Sequence, residues 1–127
     1  MVAVSKQLND LRTQIPGLLG ALVGNFSGAC VGHSQLDSEE DPQLACEALS
    51  EAFMAHLNGL LWMGLEDGTL EEIIFTGRDV LVLVRMIGKE HFLVLRMKRD
   101  ANMGIARMAM RRLEPQLVDI LNQDEDV

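Results

Sequence analysis

Apolar residues recur near the start of the chain at the spacing of an amphipathic helix. Val4, Leu8, Leu11 and Ile15 are separated by four, three and four residues, which places all of them on one helical face. Pro16 and Gly17 follow at once, and this pair is typical of a helix end. The pattern predicts a short first helix packed on a core through that face.

Runs of apolar and β-branched residues between short turn sequences predict five strands. The turn at 25–28 ends in Gly28, which can take a positive φ. A proline-capped helix is predicted to begin at Asp41-Pro42 and to run to about Met63. A final helix begins after Asp100 or Asn102, and Pro115 inside it predicts a kink or a break. The predicted strands are residues 18–24, 29–34, 70–75, 80–87 and 90–97.

The order of elements is therefore α-β-β-α-β-β-β-α, in one domain over residues 1–122 with an acidic tail at 123–127. Short connections make the strands antiparallel within each group. A two-residue turn at Gly88-Lys89 sets Ile87 opposite Glu90. In that register Arg85 and Arg96 share a face with Glu72, which predicts an ion pair at the sheet margin. Both sheet faces are mostly apolar, so a helical layer is expected on each.

The second helix carries more apolar surface than one sheet contact requires. Its sheet-facing side is predicted as an alanine stripe, including Ala48 and Ala55, beside Leu49, Phe53, His56, Leu60 and Met63. A further apolar group, Met54, Leu57 and Leu61, lies on the other side among Glu47 and Glu51. Either other parts of the chain cover this group, or it is a protein–protein surface.

The third strand is predicted to lie at a sheet edge, because it begins the three-stranded group. Ile73, Ile74 and Phe75 follow two glutamates there. An edge strand presents unpaired backbone groups to another chain. Pairing of this edge with a second copy would be two-fold symmetric.

Composition narrows the function classes. The 127 residues fit one domain, and the net charge of −8 disfavours nucleic acid, whose binding depends on phosphate neutralisation. Residues 1–76 hold two basic and eleven acidic side chains, and residues 77–127 hold nine and eight. No apolar run reaches the roughly 18 residues of a membrane span, and the first residues lack a signal-peptide pattern. A cytoplasmic protein with reduced cysteines is expected.

No constellation of catalytic or metal-binding residues stands out, so we expect neither an enzyme nor a cofactor nor a metal. Cys30 and His33 fall on opposite faces of a strand, and Cys30 and Cys46 are interpreted as small buried apolar residues. His56 is expected to make one structural hydrogen bond. One concentration of basic side chains, near the start of the last helix, is interpreted as a solvated face or as a contact for an acidic partner. Its members are Lys98, Arg99, Arg107, Arg111 and Arg112.

Two segments resemble the Roadblock family, which has dynein light-chain and gliding-motility types. Residues 15–23 read IPGLLGALV and lead to a turn at Ser27-Gly28, which resembles the family's opening. Residues 99–104 read RDANMG before the last helix, which resembles its closing segment. The resemblance covers roughly residues 6–122. It implies a five-stranded antiparallel sheet between helices, with the second helix alone on one face.

The resemblance also implies a homodimer that regulates a small Ras-like GTPase without catalytic groups of its own. By position, Ile73, Ile74, Phe75 and Leu60 match the dimer interface. The partner-binding surface would include Met54, Leu57, Leu61, Glu47 and Glu51. Gliding-motility members resemble GTPase-activating proteins that supply no arginine finger and instead favour the GTPase's own catalytic arrangement. A scaffold or motor-complex subunit, and a small-ligand sensor, remain alternatives.

Overall fold

The computed structural model describes residues 2–35, 41–55, 57–65 and 70–125. The element order predicted from the sequence is confirmed, and the predicted second helix is described as two stretches on either side of residue 56. The elements are α1 (Val2–Gln14), β1 (Leu18–Asn25), β2 (Cys30–Gln35), α2 (Pro42–Ala55), α3 (Leu57–Trp62), β3 (Glu72–Thr76), β4 (Val80–Ile87), β5 (His91–Lys98) and α4 (Met103–Glu125).

The strands form one five-stranded antiparallel sheet in the order β2-β1-β5-β4-β3. The first hairpin joins the three-stranded group through β1 and β5. The sheet therefore has two edges, β2 and β3. The predicted edge position of the third strand is confirmed.

One face of the sheet is covered by α1 and α4. The helical spacing of Val4, Leu8 and Leu11 puts all three in the core, where they are fully buried. Ile15 follows in the same cluster. The opposing sheet positions are Leu81, Leu83, Ile87, Leu93, Leu95 and Met97.

The opposite face carries α2 and a cluster of three phenylalanines. Phe92 lies under Phe26 and Phe53, with ring centroids 5.5 and 5.2 Å away. The Phe53–Phe92 rings meet edge to face, a favourable arrangement of aromatic quadrupoles. Val84 and Val94 extend this cluster along the sheet. Two separate apolar layers thus stabilise the domain, as the two apolar sheet faces predicted.

The sheet-facing side of α2 is rotated relative to the predicted one. Cys46, Ser50 and Phe53 are buried, whereas Ala48 and Ala55 of the expected alanine stripe are exposed. Ser50 Oγ donates a 2.6 Å hydrogen bond to the carbonyl oxygen of Phe26. That bond satisfies the hydroxyl, so a polar residue occupies a position that the apolar pattern assigned to solvent.

The described residues of the helix predicted from Asp41 to about Met63 are helical from Pro42 to Ala55 and from Leu57 to Trp62. Asp41 does cap the helix, since its Oδ1 accepts a 2.9 Å hydrogen bond from Gln43 N. Met63, expected to face the sheet, is exposed. His56, for which a structural hydrogen bond was predicted, lies outside the described residues.

The predicted register of the β4–β5 hairpin is also wrong, by one residue. Ile87 pairs with His91 instead of Glu90, because the turn contains three residues, 88–90. Gly88 has a φ of 63°, which suits glycine. A shift of one residue moves side chains to the other face. Arg96 therefore lies opposite Val82, on the α2 face, away from Arg85 and Glu72.

Pro115 does not break the last helix. Asn102 caps α4, since its Oδ1 accepts a hydrogen bond from Ile105 N, and the helix continues through Pro115 to Glu125. Pro115 and Arg111, one turn earlier, are both exposed, so water can solvate the carbonyl that loses its helical donor. The helix also extends into the segment predicted as an acidic tail, and residues 126–127 lie outside the described residues.

Candidate interaction surface

The edge strand β3 pairs with β4 along one side and leaves its backbone hydrogen-bonding groups without a described neighbouring strand along the other. Glu71 O accepts a hydrogen bond from Met86 N, and Gly77 N donates one to Val80 O. The backbone N–H and C=O groups of the odd-numbered residues therefore point toward β4. Strand backbones alternate in direction. The N–H and C=O groups of Glu72, Ile74 and Thr76 therefore point outward. Since β3 ends the sheet, no neighbouring strand from the described part of the chain lies there.

The other edge strand, β2, is protected by side chains. Cys30 N donates a 2.8 Å hydrogen bond to Gln43 Oε1 of α2. His33 N donates one of 3.1 Å to Ser5 Oγ of α1. Coverage by neighbouring elements blocks strand addition. The two edges are thus chemically different, and β3 is the open one.

Apolar side chains surround the open edge on both faces of the sheet. Ile74 lies opposite Leu83, on the α1–α4 face, and Phe75 lies opposite Val82, on the α2 face. Their side chains are 44% and 45% exposed. Among the described elements, α2 lies over β1 and β2, and Val84 of β4 is still buried in the phenylalanine cluster. The α2 face is therefore least covered at its β3 end, where Phe75 lies.

The helix α3 carries a second apolar surface that its own sheet does not cover. Trp62 is 88% exposed, and Leu61 and Met63 are also exposed. Among the described elements, the backbone of α3 comes close only to that of α2. Exposed apolar patches of this kind mark interaction surfaces. Trp62 was not predicted as an interface residue from the sequence. It is the chain's one tryptophan, and the enrichment of tryptophan at interaction hot spots could have pointed to it.

The residues proposed from the sequence differ in how far the structure exposes them. Ile73 packs against the phenylalanine cluster, while Ile74 and Phe75 are exposed at the edge. Leu60 is half-buried. The side chain of Leu57 lies outside the described residues. The outward row on α2 and α3 comprises Glu47, Glu51, Met54 and Leu61, all exposed.

Two ion pairs connect α4 to the strands next to the open edge. Arg107 Nη2 lies 2.8 Å from Glu72 Oε1, and Arg85 Nε lies 2.9 Å from Glu114 Oε2. The hydrogen bond and charge of Glu72 raise the pKa of Arg107. The predicted pairing of Glu72 with Arg85 or Arg96 is wrong, because α4 supplies both partners. Arg107 is thus not part of a purely solvated basic face.

The described residues contain no group of three or more histidine, cysteine, aspartate or glutamate side chains that could hold a metal ion. Within the same residues no helix is long and apolar enough to span a membrane.

Cys46 makes the free energy of unfolding of the domain depend on pH in the alkaline range. Burial, then the neighbouring Cys30, then the charge of Glu47 raise the pKa of Cys46 from 9.0 to about 12. Because folding raises the pKa of this thiol, the thiol favours the folded state. This stabilisation is complete below pH 9 and is lost as the pH rises toward 12. We expect the free energy of unfolding to fall over that range by at most about 1.4 kcal/mol per pH unit.

Replacing Cys46 with alanine should reduce that alkaline slope. Denaturant titrations of both proteins at about one-unit pH intervals between pH 8 and pH 11 measure how steeply the free energy of unfolding falls. A full effect of this thiol is about 1.4 kcal/mol per pH unit. Equal slopes for the wild type and Cys46→Ala would contradict the assignment to this thiol.

Comparison with known proteins gives matches in structure only. No protein-family model matches the chain, and no curated protein matches it by sequence. MglB from Myxococcus xanthus superimposes with a TM-score of 0.83 at 11% identity, covering 94% of this chain and 95% of that one. A structure described as MglB with tetrameric arrangement gives 0.82 at 17% identity, covering 96% and 89%.

A Roadblock/LC7 domain from Streptomyces avermitilis gives a TM-score of 0.72 at 14% identity, covering 89% of this chain and 96% of that one. The fold is therefore the Roadblock fold, as the sequence resemblance implied. Within that fold, the chain is a Roadblock-like domain similar in structure to MglB. At these identities the likeness concerns the fold.

Proposed function

We propose that the protein is a homodimer in which the β3 edges of two copies pair antiparallel around a two-fold axis. The open edge and the exposed apolar surface carry this proposal. Placing Ile74 opposite its own copy sets Glu72 opposite the second copy's Thr76. All three outward residues then find hydrogen-bonding partners, and the two Glu72 carboxylates are kept from facing each other.

The same arrangement accounts for the exposed β3 end of the α2 face. Two paired edges give one ten-stranded sheet, which extends the surface containing Phe75 and Val82 across the axis. The exposed apolar side chains of α3 then have a matching apolar surface on the second copy. The solved relative described as MglB with tetrameric arrangement supports self-association as a property of this fold.

We further propose that the dimer binds a small Ras-like GTPase and modulates its nucleotide cycle, without catalytic residues of its own. Support comes from the Roadblock resemblance and from the structural match to MglB. The outward row of Glu47, Glu51, Met54 and Leu61 combines apolar and acidic side chains. Apolar residues at the centre of such a contact would dominate the affinity. Acidic residues around them would select a basic partner surface.

Substitution of Leu61 by aspartate should abolish the effect on the GTPase. Leu61 is 54% exposed, so a charge there leaves the core intact but costs binding at an apolar contact. The measurement is GTP hydrolysis and nucleotide release by the cognate GTPase with wild-type and variant protein. Met108→Asp is the matched control, since Met108 on α4 is also 54% exposed and lies outside the proposed surface.

The same assay separates a regulator from a scaffold or motor-complex subunit. A regulator changes the rate of hydrolysis or of nucleotide release, and Leu61→Asp removes the change while Met108→Asp keeps it. Binding with unchanged rates would overturn the regulatory proposal in favour of a scaffold. Equal loss with both variants would overturn the assignment of the surface.

A further inference from the structure

The two cysteines meet across the boundary between β2 and α2. Cys30 lies directly opposite Gly24 in the β1–β2 pairing. Cys46 of α2 lies over the same point, since a Cβ on Gly24 would come 2.9 Å from its Sγ. Cys30 Sγ donates a 3.7 Å hydrogen bond to Gly32 O, and Cys30 is near enough to help raise the pKa of Cys46. The missing side chain at Gly24 thus leaves the space that Cys46 Sγ occupies, next to the strand position of Cys30.

A neighbouring amide holds the two elements in this position. Gln43, one turn before Cys46, accepts a 2.8 Å hydrogen bond from Cys30 N. Its Nε2 donates another, also 2.8 Å, to Gly28 O. Both contacts join the first turn of α2 to the end of the first hairpin. The thiols are therefore brought together by a fixed backbone arrangement and not by a chance surface encounter.

We propose that Cys30 and Cys46 form a dithiol site that is oxidised to a disulfide, which ties the first turns of α2 covalently to the edge strand β2. The oxidant is a small disulfide such as oxidised glutathione. The inference concerns this chain's own chemistry and does not depend on the identity of a partner protein.

The exchange has two balanced steps. The Cys30 thiolate attacks one sulfur of oxidised glutathione, forms a mixed disulfide and releases one glutathione thiolate. The Cys46 thiolate then attacks the Cys30 sulfur, forms the Cys30–Cys46 bond and releases the second glutathione. The two protein thiols lose two electrons and two protons in total, and two reduced glutathione molecules receive them.

The environment of the two cysteines sets this order. Cys30 is partly exposed and lines an open groove with Ser5 and Gln43, so the reagent reaches it first. Cys46 is fully buried, and burial, Cys30 and Glu47 raise its pKa to about 12. Because the thiolate is the nucleophile, the closing step should accelerate as the pH rises.

Intact-mass measurement of the folded protein with oxidised glutathione tests the site. The wild type should become lighter by two hydrogen atoms. Cys46→Ala should stop with one glutathione attached, and Cys30→Ser should remain unmodified. Thermal melting of the oxidised wild type should occur higher than that of the reduced protein, on the order of 10 °C, and a reductant should reverse the shift.

Three results would overturn the proposal. The first is a wild type that ends with one glutathione still attached. The second is an internal disulfide that forms only in denaturant. The third is an equal melting temperature for oxidised and reduced wild type, which would show that the bond does not restrain α2. Because each variant removes one sulfur and leaves a residue of similar size, circular dichroism of the variants controls for misfolding.

Discussion

Ile74→Pro should convert the dimer into a folded monomer. The N–H of Ile74 points away from β4, so proline at this position removes no hydrogen bond of the domain's own sheet. Proline is tolerated on edge strands for this reason. In the proposed dimer, the same N–H pairs with the second copy, and the ring both deletes that bond and obstructs close approach. Size-exclusion chromatography with light scattering measures the mass, and far-UV circular dichroism measures the fold.

Two control substitutions make the result specific. Ile74→Val keeps the outward N–H and should remain dimeric. Ile73→Pro removes a bond on the β4 side and should destabilise the domain itself. A dimer that survives Ile74→Pro at wild-type affinity would contradict pairing through this edge. The same holds if Ile74→Pro unfolds the chain as Ile73→Pro does.

Phe92→Ala should cost about 3–5 kcal/mol of the free energy of unfolding. Phe92 is fully buried and is the central ring of the phenylalanine cluster, in contact with both Phe26 and Phe53. A Cβ on Gly24 would lie 2.7 Å from its Cζ, so the ring fills its space tightly. Truncation leaves a cavity that this close packing cannot fill. Urea denaturation of the purified variant measures the loss.

The matched control is Phe75→Ala, made in the monomeric Ile74→Pro protein. Phe75 is half-exposed at the sheet edge, so its truncation should cost less than about 1 kcal/mol there. In the dimeric background the same change should weaken dimerisation, because the ring is then covered. Similar losses of monomer stability for Phe92→Ala and Phe75→Ala would show that the phenylalanine cluster is not the core of this face.

Local patterns predicted most of the architecture because each depends on residues close in sequence. The spacing from Val4 to Ile15 identified α1, and the side chains of Asp41 and Asn102 identified two helix starts. The open edge followed from the order of the strands. These features depend on periodicity, capping and turn chemistry, which are properties of short segments.

The failures arose where contacts between distant segments decided the outcome. The third residue of the β4–β5 turn, Glu90, accepts a hydrogen bond from Phe26 N of the first hairpin, which no local turn rule contains. The rotation of α2 depends on Gly24 and on the carbonyl of Phe26. The ion pairs of Glu72 and Arg85 with α4 join residues far apart in the chain.

The interaction surface shows the same division. Ile74, Phe75, Met54 and Leu61 were expected at an interface from their apolar character in an edge strand or on an outer helix face, and the structure leaves them exposed. Trp62 was not among the predicted residues, and it is identified by its exposure in the structure.

The most direct test of the central claim is affinity capture with the dimer as bait, run in parallel with a GTP analogue and with GDP. We predict a small Ras-like GTPase retained by the wild type and by Met108→Asp, mainly with the analogue, and lost with Leu61→Asp. Recovery of no GTPase in either nucleotide condition, from a bait shown to be dimeric, would contradict the account.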